Sequence, residues 1–264
     1  MKHLTIEITD KCSLNCLHCS TNSNNNGRVF LELDEIDEIL DEFNNFEKVR
    51  LSGGEPFEHP YLVEIVKKIK DKNKIIEILS SGVSNQQELS KEILISLKDF
   101  VNRIVFSIYG DEDIHNKICS HNSYKILNKS VESTIEERIP FSFQTVVMKM
   151  NKNEIKNIVG YISRLKNRVD FCNPKLHILR FIKQGRGKEN QQFAISGNDI
   201  KELIKRSREI PQKDIKITFG CSFKEEGCIQ GTGKAAVTIQ REKITCSALK
   251  YSSKQKIFAC KERW

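Results

Sequence analysis

The sequence predicts an α/β protein: a partial (β/α)6 barrel followed by a small C-terminal domain of β-hairpin and α elements. Three observations predict it. Strand-like and helix-like segments alternate through six units before residue 185, the alternation stops at a turn-rich basic break, and four of the nine cysteines crowd the stretch beyond. Strands alternating with helices imply parallel βαβ units. Six units in about 185 residues suit an open barrel better than a closed eight-stranded one. A doubly wound sheet is the alternative that spacing leaves open.

Leu4 to Ile8 alternates like a strand. A cysteine loop follows at once, then an Asn-rich loop from Thr21 to Gly27. Ile36, Ile39, Leu40 and Phe43 fall at i, i+3, i+4 and i+7, which predicts a helix over 33–43. Lys48 to Leu51 is a strand, Ser52-Gly53-Gly54-Glu55-Pro56 its turn, and Leu62, Ile65, Val66 and Ile69 mark a second helix. The pattern continues with strands over 75–79, 103–108, 141–148 and 175–182, and helices over 86–97, 124–137 and 154–165. Gly185-Arg186-Gly187 is the break, which sets the expected boundary between a core (1–185) and a second domain (186–264). Ser196 caps a helix carrying Ile200, Leu203 and Ile204. Short strands follow over 215–219, 235–240 and 243–245. No internal repeat or disordered tail is visible.

The chain has 264 residues, 38% hydrophobic and 30% charged, as a soluble globular protein would be. No apolar run approaches the roughly 18 residues of a membrane span. The N-terminus lacks the apolar stretch of a secretory signal, so the expected location is the cytosol. The net charge of +8 comes from 43 Lys and Arg against 35 Asp and Glu, mixed along the chain. Such mixing reads as a solvated surface and argues against a nucleic-acid groove. An odd count of nine cysteines in a reducing compartment points to metal rather than to disulfides.

Cys12, Cys16 and Cys19 directly follow the first strand as Cys-x3-Cys-x2-Cys. In a barrel of this kind the C-terminal strand ends carry the chemistry. Three thiolates can hold three irons of a four-iron cube and leave one iron open, whereas a structural site is closed by four ligands. The competing reading is a zinc knuckle completed by His18 or His3. The turn Gly53-Gly54-Glu55-Pro56 follows the second strand: its glycines permit close backbone approach, and Glu55 can accept from an amine.

Together these segments resemble the radical S-adenosylmethionine superfamily. The resemblance implies that Cys12, Cys16 and Cys19 ligate a [4Fe-4S] cluster and that Gly53, Gly54, Glu55 and Pro56 bind the methionine amine of S-adenosylmethionine. It also implies that Ser81, in Ser80-Ser81-Gly82, touches the ribose or carboxylate, and that His18 meets the adenine through its backbone. Val105 to Gly110, with Ser107 and then His115, is similar to the family's fourth strand and following loop. The implied chemistry is reductive cleavage of S-adenosylmethionine to a 5′-deoxyadenosyl radical, which takes hydrogen from an unactivated C–H bond. The protein's part is positioning and exclusion of water.

Cys221, Cys228, Cys246 and Cys260 lie within the last 44 residues. The stretches around Cys228 and Cys246 resemble the auxiliary-cluster half-domain called Twitch, a shortened SPASM domain. This implies a second [4Fe-4S] cluster, with room for one only before Trp264. The rival is a four-thiolate zinc hairpin, and Cys172 could replace Cys260 as ligand. Leu179-Arg180-Phe181, followed by Gly185-Arg186-Gly187, resembles the bridge that precedes such a domain. Arg180 could bind a carboxylate bidentately, or form a structural ion pair.

Cys119 is a candidate hydrogen donor to a substrate radical, placed in the loop after the fourth strand; the plainer reading is a buried apolar thiol. The family's breadth favours a ribosomally made peptide as substrate, modified by cross-link, thioether or epimerisation. Two-electron oxidation of a sugar or aminocyclitol alcohol is the alternative, and a non-catalytic zinc module the remote one. The first strand begins at Leu4, which leaves no leader-binding domain before it, so a peptide would need a separate peptide-binding protein. A flavodoxin or ferredoxin is the expected electron donor.

Overall fold

The computed structural model describes residues 3–120, 122–211, 215–220, 234–239 and 243–244. Strands β1 (His3–Thr9), β2 (Lys48–Gly53), β3 (Ile75–Ser80), β4 (Arg103–Ser107), β5 (Phe141–Val147), β6 (Lys175–Arg180) and β7 (Lys216–Phe219) run parallel, each beside its sequence neighbour. From β1 to β7 the order does not reverse, unlike in a doubly wound sheet, which turns on such a reversal. An open, barrel-like α/β sheet is the result. Beyond β1, on the side away from β2, stands β8 (Lys234–Val237), parallel to β1, and then antiparallel β9 (Lys243–Ile244).

The helices are α1 (Leu33–Glu42), α2 (Leu62–Asp71), α3 (Lys91–Leu97), α4 (Glu112–Cys119), α5 (Ser123–Glu136), α6 (Ile155–Lys166), α7 (Arg186–Glu189) and α8 (Gly197–Glu209). Two depart from expectation. The helix expected over 86–97 begins only at Lys91, because Asn85 and Gln86 sit at φ +50° and +63°, and Ser90 supplies the cap by accepting from Ile93 N. The loop expected after β4 contains α4, capped by Asp111, whose carboxylate accepts from Ile114 N at 3.0 Å.

Successive strand residues point to opposite faces. On the outer face Leu4, Ile6, Ile8, Val49, Leu51, Ile76, Ile78, Ile104 and Phe106 are fully or almost fully buried in one apolar core with α1, α2 and α6. The inner face is polar, with Thr5, Glu7, Arg50, Ser52, Ser107, Gln144 and His177 around a cavity. Parallel sheets are usually apolar on both faces, so a polar inner face marks a surface kept for something other than packing.

The expected second unit shares this sheet. Its residues supply β7 at one edge and β8 beside β1, where Ile239 N donates to the Glu7 carboxylate at 3.1 Å. Cys221, Cys228, Cys246 and Cys260 lie outside the described residues. Cys172 precedes β6, at the end of the sheet opposite the cysteine loop, and packs half-buried on the core.

At that same opposite end Glu77, 5% exposed, accepts from Lys48 Nζ and Arg50 Nε, each at 2.8 Å, and Arg103 stands 3.9 Å away. Burial pushes its carboxyl up, but Arg50 and Lys48 outweigh it and hold the group below the usual carboxylate range. Glu77→Ala leaves three cations on one inner face without their shared anion. Urea titration should show a loss of about 2 kcal/mol, less than for a fully buried pair because the cations are partly solvated. A depressed carboxyl stabilises at neutral pH and stops doing so in acid, so the gap to wild type should close as pH falls below the usual carboxylate range.

Candidate active site

The loop from Cys12 to Ser23 lies at the C-terminal end of β1, and its shape comes from distant segments. Gly54 N donates to Thr9 O at 2.7 Å and Glu55 N to Lys11 O at 2.8 Å. An ideal Cβ on Gly53, at φ +123°, would stand 2.3 Å from Thr9 O, and one on Gly54 2.0 Å from Lys11 O. The close approach that these glycines permit is therefore, in the first place, to the chain's own cysteine loop. Ser13 donates N–H and hydroxyl to Glu58, at 2.8 and 2.5 Å, and Asn85 N donates to the same oxygen. Leu17 N donates to Ile118 O at the end of α4.

The three thiols open into a cavity of about 380 Å³. The cavity is also lined by His18, Gly53, Gly54, Glu55, Ser81, Ser107, Cys119 and Arg180. Thus the described candidate residues meet in one place except Pro56, which starts the buried 3-10 turn 56–58 behind it. Ser107 accepts from Gln144 Nε2 at 3.2 Å, and both face the cavity.

Glu55 is 1% exposed. Its carboxylate accepts from Ser80 Oγ (2.8 Å), Ser81 N (2.8 Å) and Ser81 Oγ (2.6 Å), tying the β2 turn to the end of β3. Burial raises its pKa from 4.5 to about 7, against the pull of these donors. Cys12 is pushed up by burial and by Cys16, and Cys16 by its contact with Cys119 and by burial. Both thiols therefore hold protons that a metal must displace. His18 Nε2 shares a 2.8 Å hydrogen bond with Tyr109 OH, and His115 packs on the Tyr109 ring at a tilt of 46°. Burial lowers both histidines to about 4, so they are neutral at pH 7.

Among the described residues no three His, Cys, Asp or Glu side chains converge on a single-ion site. Three thiols around one cavity fit a larger cluster with an open position. Cys119, 1% exposed, is the last residue of α4 and lies against Cys16. Sequence reasoning missed Glu58, for which no local signal exists.

An open parallel sheet with three thiols and polar strand ends around one cavity defines a metal-cluster enzyme core. A model of the radical SAM superfamily matches residues 6–162, and the chain belongs to that family. The family implies a [4Fe-4S] cluster and S-adenosylmethionine as cofactors. Over 216 residues the chain is 27% identical to a GTP 3′,8-cyclase of Clostridium perfringens, covering 79% of this chain and 63% of that one. A probable GTP 3′,8-cyclase of Sulfolobus acidocaldarius is 26% identical over 208 residues, 76% of this chain and 62% of the other. The chain thus spans under two thirds of the length of these relatives. Among solved structures, SuiB of Streptococcus suis bound to the precursor peptide SuiA superposes with a TM-score of 0.77 at 16% identity, covering 99% of this chain and 63% of SuiB. The AdoMet- and peptide-bound anSMEcpe gives 0.66 at 14% identity, over 93% of this chain and 74% of the other. No helix among the described residues is long and apolar enough to cross a membrane.

A carboxyl with a raised pKa binds more protons folded than unfolded, so it makes stability fall as pH rises between the two values. Wild type minus Glu55→Gln, followed by thermal melts of the metal-free protein, should therefore decline from pH 4.5 to about 7 and level off above. A flat difference would show that Glu55 titrates normally.

Proposed function

We propose that the chain is a radical SAM enzyme that modifies a ribosomally made peptide, with Cys12, Cys16 and Cys19 as ligands of the cluster. The observation that carries the reading is the single cavity joining these thiols to Glu55, Ser81, Ser107 and Arg180. Cys12, Cys16 and Cys19 would hold the cluster, which with S-adenosylmethionine would supply one-electron chemistry: an electron used in breaking a carbon–sulfur bond, and a carbon radical able to take hydrogen from a substrate C–H bond.

This chain's residues supply the rest. The Glu55 carboxylate, preformed by Ser80 and Ser81, accepts from the methionine ammonium. Arg180, at the end of β6, offers its guanidinium to a carboxylate. The His18 backbone and Ser107 edge the adenosine. The closed apolar wall of Leu14, Phe181 and Tyr109 keeps water from the radical. Where the product regains a hydrogen, Cys119 gives its thiol hydrogen atom to the substrate radical, and the thiyl radical left behind is returned to the thiol by one electron from the flavodoxin or ferredoxin and one proton.

The peptide reading is supported by a fold shared almost end to end with a protein solved with its precursor peptide. The second reading, a small-molecule substrate, is favoured by the 27% identity to GTP 3′,8-cyclases; among such reactions, alcohol oxidation suits an oxidoreductase with two clusters. In either case Cys221, Cys228, Cys246 and Cys260 hold the second [4Fe-4S] cluster of a Twitch-type segment, and a flavodoxin or ferredoxin delivers the electron in the cytoplasm.

After anaerobic reconstitution, wild type should hold about eight irons per chain and a Cys12→Ala, Cys16→Ala, Cys19→Ala variant about four. Four and none would remove the second cluster. Wild type with dithionite should form 5′-deoxyadenosine, and the triple variant none. Cys119→Ser should keep 5′-deoxyadenosine formation within about twofold while product with returned hydrogen falls at least tenfold. An equal fall in both would assign Cys119 to the cluster side instead.

A further inference from the structure

The segment just after the barrel, Gly185 to Asn190, turns back onto the cysteine loop. Arg186 is 8% exposed. Its Nε donates to Asn15 Oδ1 at 2.9 Å, and its two terminal nitrogens to Ser23 O at 2.7 and 3.2 Å. Its backbone N–H donates to Cys19 O at 2.9 Å. Asn190 Nδ2, one helical turn on, donates to Leu17 O at 3.2 Å. Gly185, at φ +51°, comes so near that a Cβ there would stand 2.6 Å from Cys19 O and from Ser20 O. The cysteine half-loop from Asn15 to Ser23 is therefore gripped at four points by one short segment.

All of the acceptors around Arg186 are neutral: a side-chain amide and two backbone carbonyls. A buried guanidinium keeps its proton, so a full positive charge stands against the loop that carries the three thiols, without a carboxylate among these partners.

We propose that Arg186 is a positioning residue for the cluster, holding the loop from Asn15 to Ser23 in shape and making the cluster easier to reduce. The inference rests on the reading that Cys12, Cys16 and Cys19 are its ligands. Reduction adds one negative charge to a group already made negative by its thiolates. A fixed cation in a poorly solvated site favours the more negative state. Charge and hydrogen bonding around a cluster are levers that set its potential. Lysine in this place would keep the charge but lose the planar fork that reaches Asn15 and Ser23 together.

The test uses full-length wild type, Arg186→Lys and Arg186→Gln, reconstituted anaerobically. Iron content, release of iron to a chelator, and the midpoint potential by an EPR-monitored redox titration are read, with circular dichroism of the metal-free proteins as the check on folding. To isolate the first cluster, all three carry Cys228→Ala and Cys246→Ala. The expected result is a midpoint displaced to more negative potential in Arg186→Gln, with faster iron release, and a midpoint near wild type in Arg186→Lys. Uptake of iron by the lysine variant and not by a folded glutamine variant also supports the proposal. An unchanged midpoint and unchanged iron release in Arg186→Gln overturn it, as does a shift in Arg186→Lys as large as in Arg186→Gln, or equal failure of both to take up iron. If the glutamine variant does not fold, the lysine variant decides alone: faster iron release with a midpoint near wild type upholds the proposal, and unchanged iron release or a lowered midpoint overturns it. If wild type itself takes up no iron, the ligand reading has failed, not the role of Arg186.

Discussion

Between Cys12 and Ser23 the backbone forms neither helix nor strand of its own, so the arrangement of the three thiols depends on hydrogen bonds received from elsewhere. Glu58 holds Ser13, the end of α4 holds Leu17, and the segment after β6 holds Asn15, Cys19 and Ser23. A loop tied at many separated points loses little further entropy when a ligand enters, which is what preorganisation means in energetic terms. The two adjoining glycines belong to the same fastening, since any side chain there would push Thr9 and Lys11 out of place.

The division of labour across the sheet follows from strand geometry. One set of alternate residues packs under helices and supplies the burial that holds the fold together. The other set is free of that duty and can carry carboxylates, hydroxyls, imidazoles and guanidiniums. Each polar group on this face needs a partner. Glu55 finds its partners in Ser80 and Ser81, and Glu77 in Lys48 and Arg50.

Much of this was legible in the residues alone, and the misses have a common cause. Period-2 and period-3.6 patterns are local, so the six barrel units, the cysteine spacing and the Gly-Gly-Glu-Pro turn could be read directly. The helix ending at Cys119 is short and mostly polar, with Ile114 and Ile118 as its chief apolar residues, and it passed for loop. Asn85 and Gln86 both adopt positive φ, which no pattern of apolar residues reveals. The strands over 215–219 and 235–240 were visible as strands, but their pairing with β6 and β1 is a contact across the chain that periodicity does not encode. Glu58 looked like any acidic residue after a proline.

The fastening of the cysteine loop also orders events during synthesis. The three thiols precede in the chain the groups that shape their loop, which follow at Glu58, Ile118, Arg186 and Asn190. β1 gains its second neighbour later still, when β8 arrives some 230 positions after it. Domains form from the N-terminus as the chain is made, but the cysteine loop and β1 wait for partners that follow them in the chain. A nascent chain that stops short of Arg186 carries all three thiols and lacks the guanidinium and amide that hold Asn15, Leu17 and Ser23.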